Sequence, residues 1–232
     1  QAIIVEFIAT DGCGNSASVI GIFNTKVQPT TVNVSGQVQR EDTEAVADVQ
    51  VEIQGGTSGL PDMDYTNTGG GYGLPELEYE DNLMVVPGKN NDVLNGLSTY
   101  DLVLLQRHVL MIESLDSPYK VIAGDVNNSG HISTIDILLL RRLILLLDEE
   151  FTQNTSWRFV DADFVFPNPL NPFETTFPEV FMLSGVEEEE ANFIGVKIGD
   201  LDLSAIVNNL MPQAADRSDL PDLTFEVKEE VL

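Results

Sequence analysis

The stretch GDVNNSGHISTIDILLLRRLIL, residues 124–145, sets oxygen-bearing side chains at alternate positions, then a glycine and a carboxylate, directly in front of an apolar run. A twelve-residue calcium loop needs hard oxygen ligands at positions 1, 3, 5, 9 and 12, a backbone carbonyl at 7 and glycine at 6 for the sharp turn. Counting from Asp125 puts Asn127 at 3, Ser129 at 5, Gly130 at 6, His131 at 7, Ser133 at 9 and Asp136 at 12. Every place holds a suitable group, and His131 would give only its carbonyl oxygen. Ser133 supplies an N-cap and Asp136 an acidic first turn, so the apolar run reads as a helix and the loop as a site for Ca2+, with a metal-free capped turn as the alternative.

That helix has an echo. LSTYDLVLLQRHVL (97–110) aligns with ISTIDILLLRRLIL (132–145) at a constant offset of 35 residues, an internal repeat. The loop before the first copy is less regular. Counting back from Asp101 at position 12 puts Ser98 at 9, Gly96 at 7, Leu94 at 5, Asp92 at 3 and Asn90 at 1. Leucine has no chelating side chain and the glycine comes one place late. Either a backbone carbonyl and Asn95 complete a distorted site with Asn90, Asp92 and Asp101, or the loop is a metal-free relic. Asp161, Asp163, Asp200 and Asp202 could form further cation contacts, but isolated acidic residues are usually just solvated.

Two polar loop and helix repeats, with Asp rather than Glu at position 12 and no helix directly before the loop, resemble dockerin modules over about residues 90–147. The resemblance implies two calcium loops, one of them altered here. It also implies a cohesin partner that meets the repeat helices and their Ser-Thr positions, with Arg107 and Arg142 as contacts. Read from the residues alone, Ile137 to Leu147 is apolar nearly all round and favours a core helix, its arginines satisfied by nearby carboxylates.

Charge narrows the partners. With 38 acidic and 11 basic residues the net charge is -27, which repels nucleic acid and anionic membranes and favours cations. The longest apolar run is too short to span a bilayer and is broken by Arg141 and Arg142, so no membrane insertion is expected. Residues 1–30 lack a basic segment followed by an apolar run, so no signal peptide is read there. Two histidines, the lone Cys13 and the absence of Gly-x-Ser-x-Gly, His-Glu-x-x-His or a phosphate loop argue against an enzyme.

The flanks read as β structure. Ile3 to Ala9 and Ala17 to Phe23 are β-branched and aromatic runs around a Gly/Asn/Asp turn, a hairpin apolar on both faces and so expected to be covered on both. FIATDGCGNSAS resembles the end of bacterial immunoglobulin-like repeats, in which the cysteine pairs with an earlier one; the resemblance implies an incomplete domain. Val32, Val34 and Val38, then Val49, Val51 and Ile53, alternate with polar residues, the signature of a small antiparallel sandwich. VSGQV, AVADVQVEIQGG, YTNTGGGYGLPEL and LMVVPGK resemble the carboxypeptidase regulatory-like (transthyretin-like) module. The aromatic and proline-rich segment from about 148 reads as an irregular ordered wrap, NFIGVKIGD as a strand or extended return, and VEEEE as a solvated run.

The expected fold is therefore multidomain and mainly β, immunoglobulin-like and transthyretin-like sandwiches with a small α-helical dockerin-like calcium-binding module. Its parts are an incomplete immunoglobulin-like segment (1–30), a β-sandwich (31–89), the dockerin-like module with its wrap (90–205), and a linker with an orphan strand (206–232). The expected function is that of a non-catalytic, calcium-binding structural component of a secreted or cell-surface bacterial assembly. It would self-associate head to tail into filaments, Leu223 to Val227 inserting beside Ile3 to Ala9 or Ala17 to Phe23 of a neighbour. The alternative is a docking module that binds a cohesin-like partner and so anchors a larger secreted protein.

Overall fold

A computed structural model describes residues 2–24, 31–56 and 62–208. The segment Leu223 to Val227 lies outside the described residues. Strands β1 (Ala2–Thr10) and β2 (Ser16–Asn24) form the expected antiparallel hairpin. Asp11 makes its turn: one carboxylate oxygen accepts the backbone N–H groups of Cys13 and Asn15, and Gly14 takes a positive φ of 86°. The expected cover is not found among the described residues. Ile4, Ile8, Ile20 and Ile22 are exposed on one face and Val19 on the other, and Cys13 is an exposed free thiol.

Strands β3 (Thr31–Gln39), β4 (Gln50–Gln54), β5 (Met63–Tyr65), β6 (Gly71–Glu78) and β7 (Met84–Gly88) follow. Alternation places them: Val32, Val34, Val38, Val49, Val51 and Ile53 all face the buried core while their polar neighbours point out. One sheet runs β5-β4-β7 and the other pairs β3 with β6, all antiparallel.

Neither sheet is finished by residues 31–89, and here the fold departs from the expected boundary. After the helices come β8 (Trp157–Asp161), β9 (Phe181–Met182), β10 (Glu188–Glu190) and β11 (Phe193–Lys197). Strand β9 adds to β7, β10 and β11 both run parallel to β3, and β8 closes onto β11. A parallel neighbour requires a crossover connection, and the helical unit occupies it. Trp157, Phe159 and Phe193 accordingly fill the same core as the valines of β3 and β4. Where VEEEE was read as solvated, Glu189 is buried and accepts the N–H groups of Ser184 and Val186 and the Ser184 hydroxyl. Glu188 and Glu190, alternating with it, stay exposed.

The crossover holds α1 (Thr99–Val109), α2 (Pro118–Gly124) and α3 (Thr134–Ile144). Ser98 and Ser133 cap α1 and α3 with full capping boxes closed by Asp101 and Asp136. Helix α2 was not read from the sequence, although Ser117 at its N-cap and Pro118 at its first turn are a start signal. Leu102, Leu105, Leu140 and Leu143 form a second core with Ile122, with Val196 of β11 and with Ile198 just beyond it. The wrap covers it through aromatic contacts: Phe166 meets Tyr119 and Phe164 edge to face, and Arg158 lies over Phe177. The apolar run is not all core. Leu140 and Leu143 are buried, but Ile135, Leu138, Leu145, Leu146 and Leu147 are exposed.

Candidate metal centre

The loop before α3 is wound around two carboxylates. Asp125 Oδ1 accepts Ser129 N–H at 2.9 Å and Oδ2 accepts Gly130 N–H at 2.7 Å. Asp136 Oδ2 accepts Ser133 N–H at 2.7 Å, and Oδ1 accepts Asn127 N–H at 3.3 Å. The Ser129 hydroxyl donates to the carbonyl oxygen of His131 at 3.1 Å, which draws position 7 inward as a carbonyl. Asn128 and Gly130 turn the chain at positive φ of 54° and 79°. Asp125 and Asp136 are both fully buried, and among the described residues neither has a salt-bridge partner.

Two buried carboxylates without a cation are costly to fold, and the donor set beside them is all hard oxygen. The amide oxygen of Asn127 adds a second sign. It is buried and has no hydrogen-bond partner, a cost a bound cation removes. Hydrogen bonds thus tie Asp125 to Ser129, Ser129 to His131, and Asp136 to Ser133 and Asn127, and the oxygens these residues offer are of the kind that suits calcium.

The first loop is built differently from its sequence reading. Asp101 is buried, its Oδ2 taking Ser98 N–H and Oγ at 2.8 Å each, as Asp136 takes Ser133. Asn90 and Asp92 do not join it. Asn90 accepts Ser156 N–H through its amide oxygen, and Asp92 is exposed at a turn. In their place stand Asp200 and Asp202: one carboxylate oxygen of each and one of Asp101 all lie within 4.8 Å of one another.

The segment that brings them, GDLDLS (199–204), reads like GDVNNS (124–129), and its bonds repeat the second loop. Asp200 Oδ1 accepts Ser204 N–H at 3.0 Å and Oδ2 accepts Ala205 N–H at 2.9 Å, matching Asp125 with Ser129 and Gly130. Leu203 takes a positive φ of 61° where Asn128 has 54°. The Ser204 hydroxyl donates to Gly96 O at 3.1 Å, as Ser129 does to His131 O. The first loop thus repeats the hydrogen-bond pattern of the second in two pieces, 200–205 and 96–101, meeting through space where the second runs on from Gly130 to His131.

Asn95 splices the break. Its amide donates to Ile206 O at 2.8 Å and accepts Ile206 N–H at 2.9 Å, standing in for a paired peptide. Gly96 has to be glycine, since a Cβ there would lie 2.7 Å from Ala205 and its φ is +79°. Buried Arg40 of the sandwich clamps the far side by donating to the carbonyls of Leu203 and Ala205. Burial, with Asp202 alongside, pushes the Asp200 carboxyl up to about 6, against the lowering by the N–H groups of Ala205 and Ser204. Nearby Lys197 is buried, its ammonium on Val93 O and over the Phe151 ring, and burial pulls it down to about 8.

Arg107 and Arg142 are held by Glu113 and Asp148, as the residues alone led one to expect. Among the described residues, no helix is long and apolar enough to cross a membrane. The family model for the dockerin type I domain matches residues 123–164, the span that carries the second loop, α3 and the start of the wrap. Dockerin type I domains bind calcium, so the match carries the calcium expectation without fixing how many ions the chain takes. No curated protein matches the chain.

Proposed function

We propose that the chain is a non-catalytic, calcium-ordered docking unit of a secreted or cell-surface protein, and that its partner is a cohesin-like domain. One observation carries this reading beyond the match. The exposed apolar residues of the repeat come in pairs at the same offset of 35: Tyr100 with Ile135, Val103 with Leu138, Leu110 with Leu145, Met111 with Leu146 and Ile112 with Leu147. A solvated helix has no need of the same apolar surface twice, and exposed patches of this kind mark interaction sites. Calcium would neutralise the carboxylates and fix both helix starts, so the face exists only in the metal-bound fold. The repeated face also moves the weight from filament building towards docking. The test is calorimetry against a panel of cohesin domains. Binding that is lost with a chelator and with Leu138→Asp supports the reading, and no binding to any cohesin refutes it.

A second reading, the structural one, is favoured by the hairpin. β1 and β2 expose apolar side chains on both faces, as a hairpin inside a larger sandwich would need. Strands from another polypeptide or from a second copy would cover them, and head-to-tail donation would give filaments. Deleting residues 223–232 is expected to abolish any polymer; polymers that persist dispose of donation by Leu223 to Val227.

A further inference from the structure

On the face of the sandwich away from its core lies an open cleft of about 940 Å³, within the range of ligand sites. Its floor is the outer side of the β5-β4-β7 sheet, where Gln50, Glu52 and Gln54 project from alternate positions of β4 at intervals of about 7 Å. Tyr65 stands beside Gln50, half exposed, its hydroxyl 3.3 Å from the Gln50 amide oxygen. Asn91, Gln153 and Thr155 come from the wall.

The chemistry of this lining is selective. Amide side chains donate and accept at once, which suits adjacent hydroxyl groups, and the Tyr65 ring offers a flat apolar surface for C–H groups. The two cations of the cleft are already engaged. Lys89 donates to the carbonyls of Ala47 and Asp48, and Arg158 is held by Glu179 and by Asn128. With Asp48 and Glu52 in the lining and a chain charge of -27, an anion has nothing to pair with and much to repel it. Of the apolar residues in the lining, Pro87, Trp157 and Phe159 are buried and Val86 and Val180 partly so, which leaves Tyr65 as the exposed apolar surface, too little for the side chains of a peptide.

We infer that the cleft binds a neutral oligosaccharide, hydrogen-bonded by Gln50 and Gln54 and stacked on Tyr65. Its wall is tied to the second metal loop, since Asn154 donates to Asp125 O at 3.0 Å and Arg158 to Asn128 at 2.9 Å. The cleft and the repeated helix face are separate surfaces, so this inference does not depend on the docking reading.

The test presents the calcium-loaded chain to an array of neutral glycans, acidic glycans and peptides, then titrates retained ligands into variants. Neutral glycans alone are expected to be retained. Gln50→Ala and Tyr65→Ala should each weaken them at least tenfold with the melting temperature held, while Leu138→Asp leaves them unchanged. No neutral glycan retained, retention of acidic glycans or peptides alone, or binding that survives Gln50→Ala combined with Tyr65→Ala would each overturn the inference. Loss of cohesin binding in Leu138→Asp, read on the same samples, reports on the docking face separately.

Discussion

Asn95→Ala separates the two metal loops. The Asn95 side chain makes both hydrogen bonds that join the halves of the split loop, to Ile206 O and from Ile206 N–H, and neither contact is deeply buried. A net value of about 1 kcal/mol for each such bond puts the loss at roughly 2 kcal/mol. That loss falls on the alignment of Asp200 and Asp202 with Asp101, so it should appear in ion affinity as a weakening of about 30-fold at one site. The second loop has a peptide bond at the equivalent place and should keep its affinity. Calcium titration by calorimetry resolves the two classes: two ions for the unaltered chain, and one tight plus one weakened for Asn95→Ala. Asp125→Ala should remove the other class. The split-loop reasoning is refuted if Asn95→Ala leaves both sites unchanged, or if Asp125→Ala abolishes all calcium binding.

Chelation of the whole chain should lower the melting temperature, since an ion held at 1,000 times its dissociation constant adds about 4 kcal/mol to the folded state; an unshifted scanning-calorimetry trace would contradict a structural ion. Lys197 titrates near 8 when folded and 10.5 when unfolded, so the unfolded chain binds more protons between those values and stability of the metal-free protein should rise across that window. The span is worth about 3 kcal/mol, and urea titrations of the unaltered chain against Lys197→Met, which lacks that contribution, measure it. Leu140→Ala, at a side chain with no exposed surface, should cost about 2–5 kcal/mol in the same assay, whereas exposed Leu138→Ala should change stability by less than about 0.5 kcal/mol.

Local rules made much of this legible. Period two at Val32, Val34 and Val38 and at Val49, Val51 and Ile53 located the core of the sandwich, and Ser-Thr-x-Asp located both helix starts with their capping boxes. The second loop could be read because its oxygen-bearing residues lie within twelve consecutive positions and bond to one another locally. The first could not, because spacing along the chain says nothing about a carboxylate that arrives from residue 200 to meet residue 101. A signal existed in GDLDLS, the echo of GDVNNS, but without a following Ser-Thr-x-Asp it looked like scattered acid. β10 escaped for a related reason: a run of glutamates reads as solvated unless its parallel neighbour Asn33–Ser35 is already in view. For Ile137 to Leu147, composition alone could not divide a side that packs from a side that shows, which depends on where the returning strand lies.

The split loop also changes how the molecule would carry a load. The polypeptide enters the helical unit through residues 95–101, and that entry is fastened to residues 200–206, which follow β11. Tension applied between residue 90 and residue 208 therefore meets the junction of Asp101, in the first turn of α1, with Asp200 before it reaches the rest of the helices. A divalent ion there would act as a clasp across the neck of the insertion, and the helices beyond it would stay slack until the clasp opened.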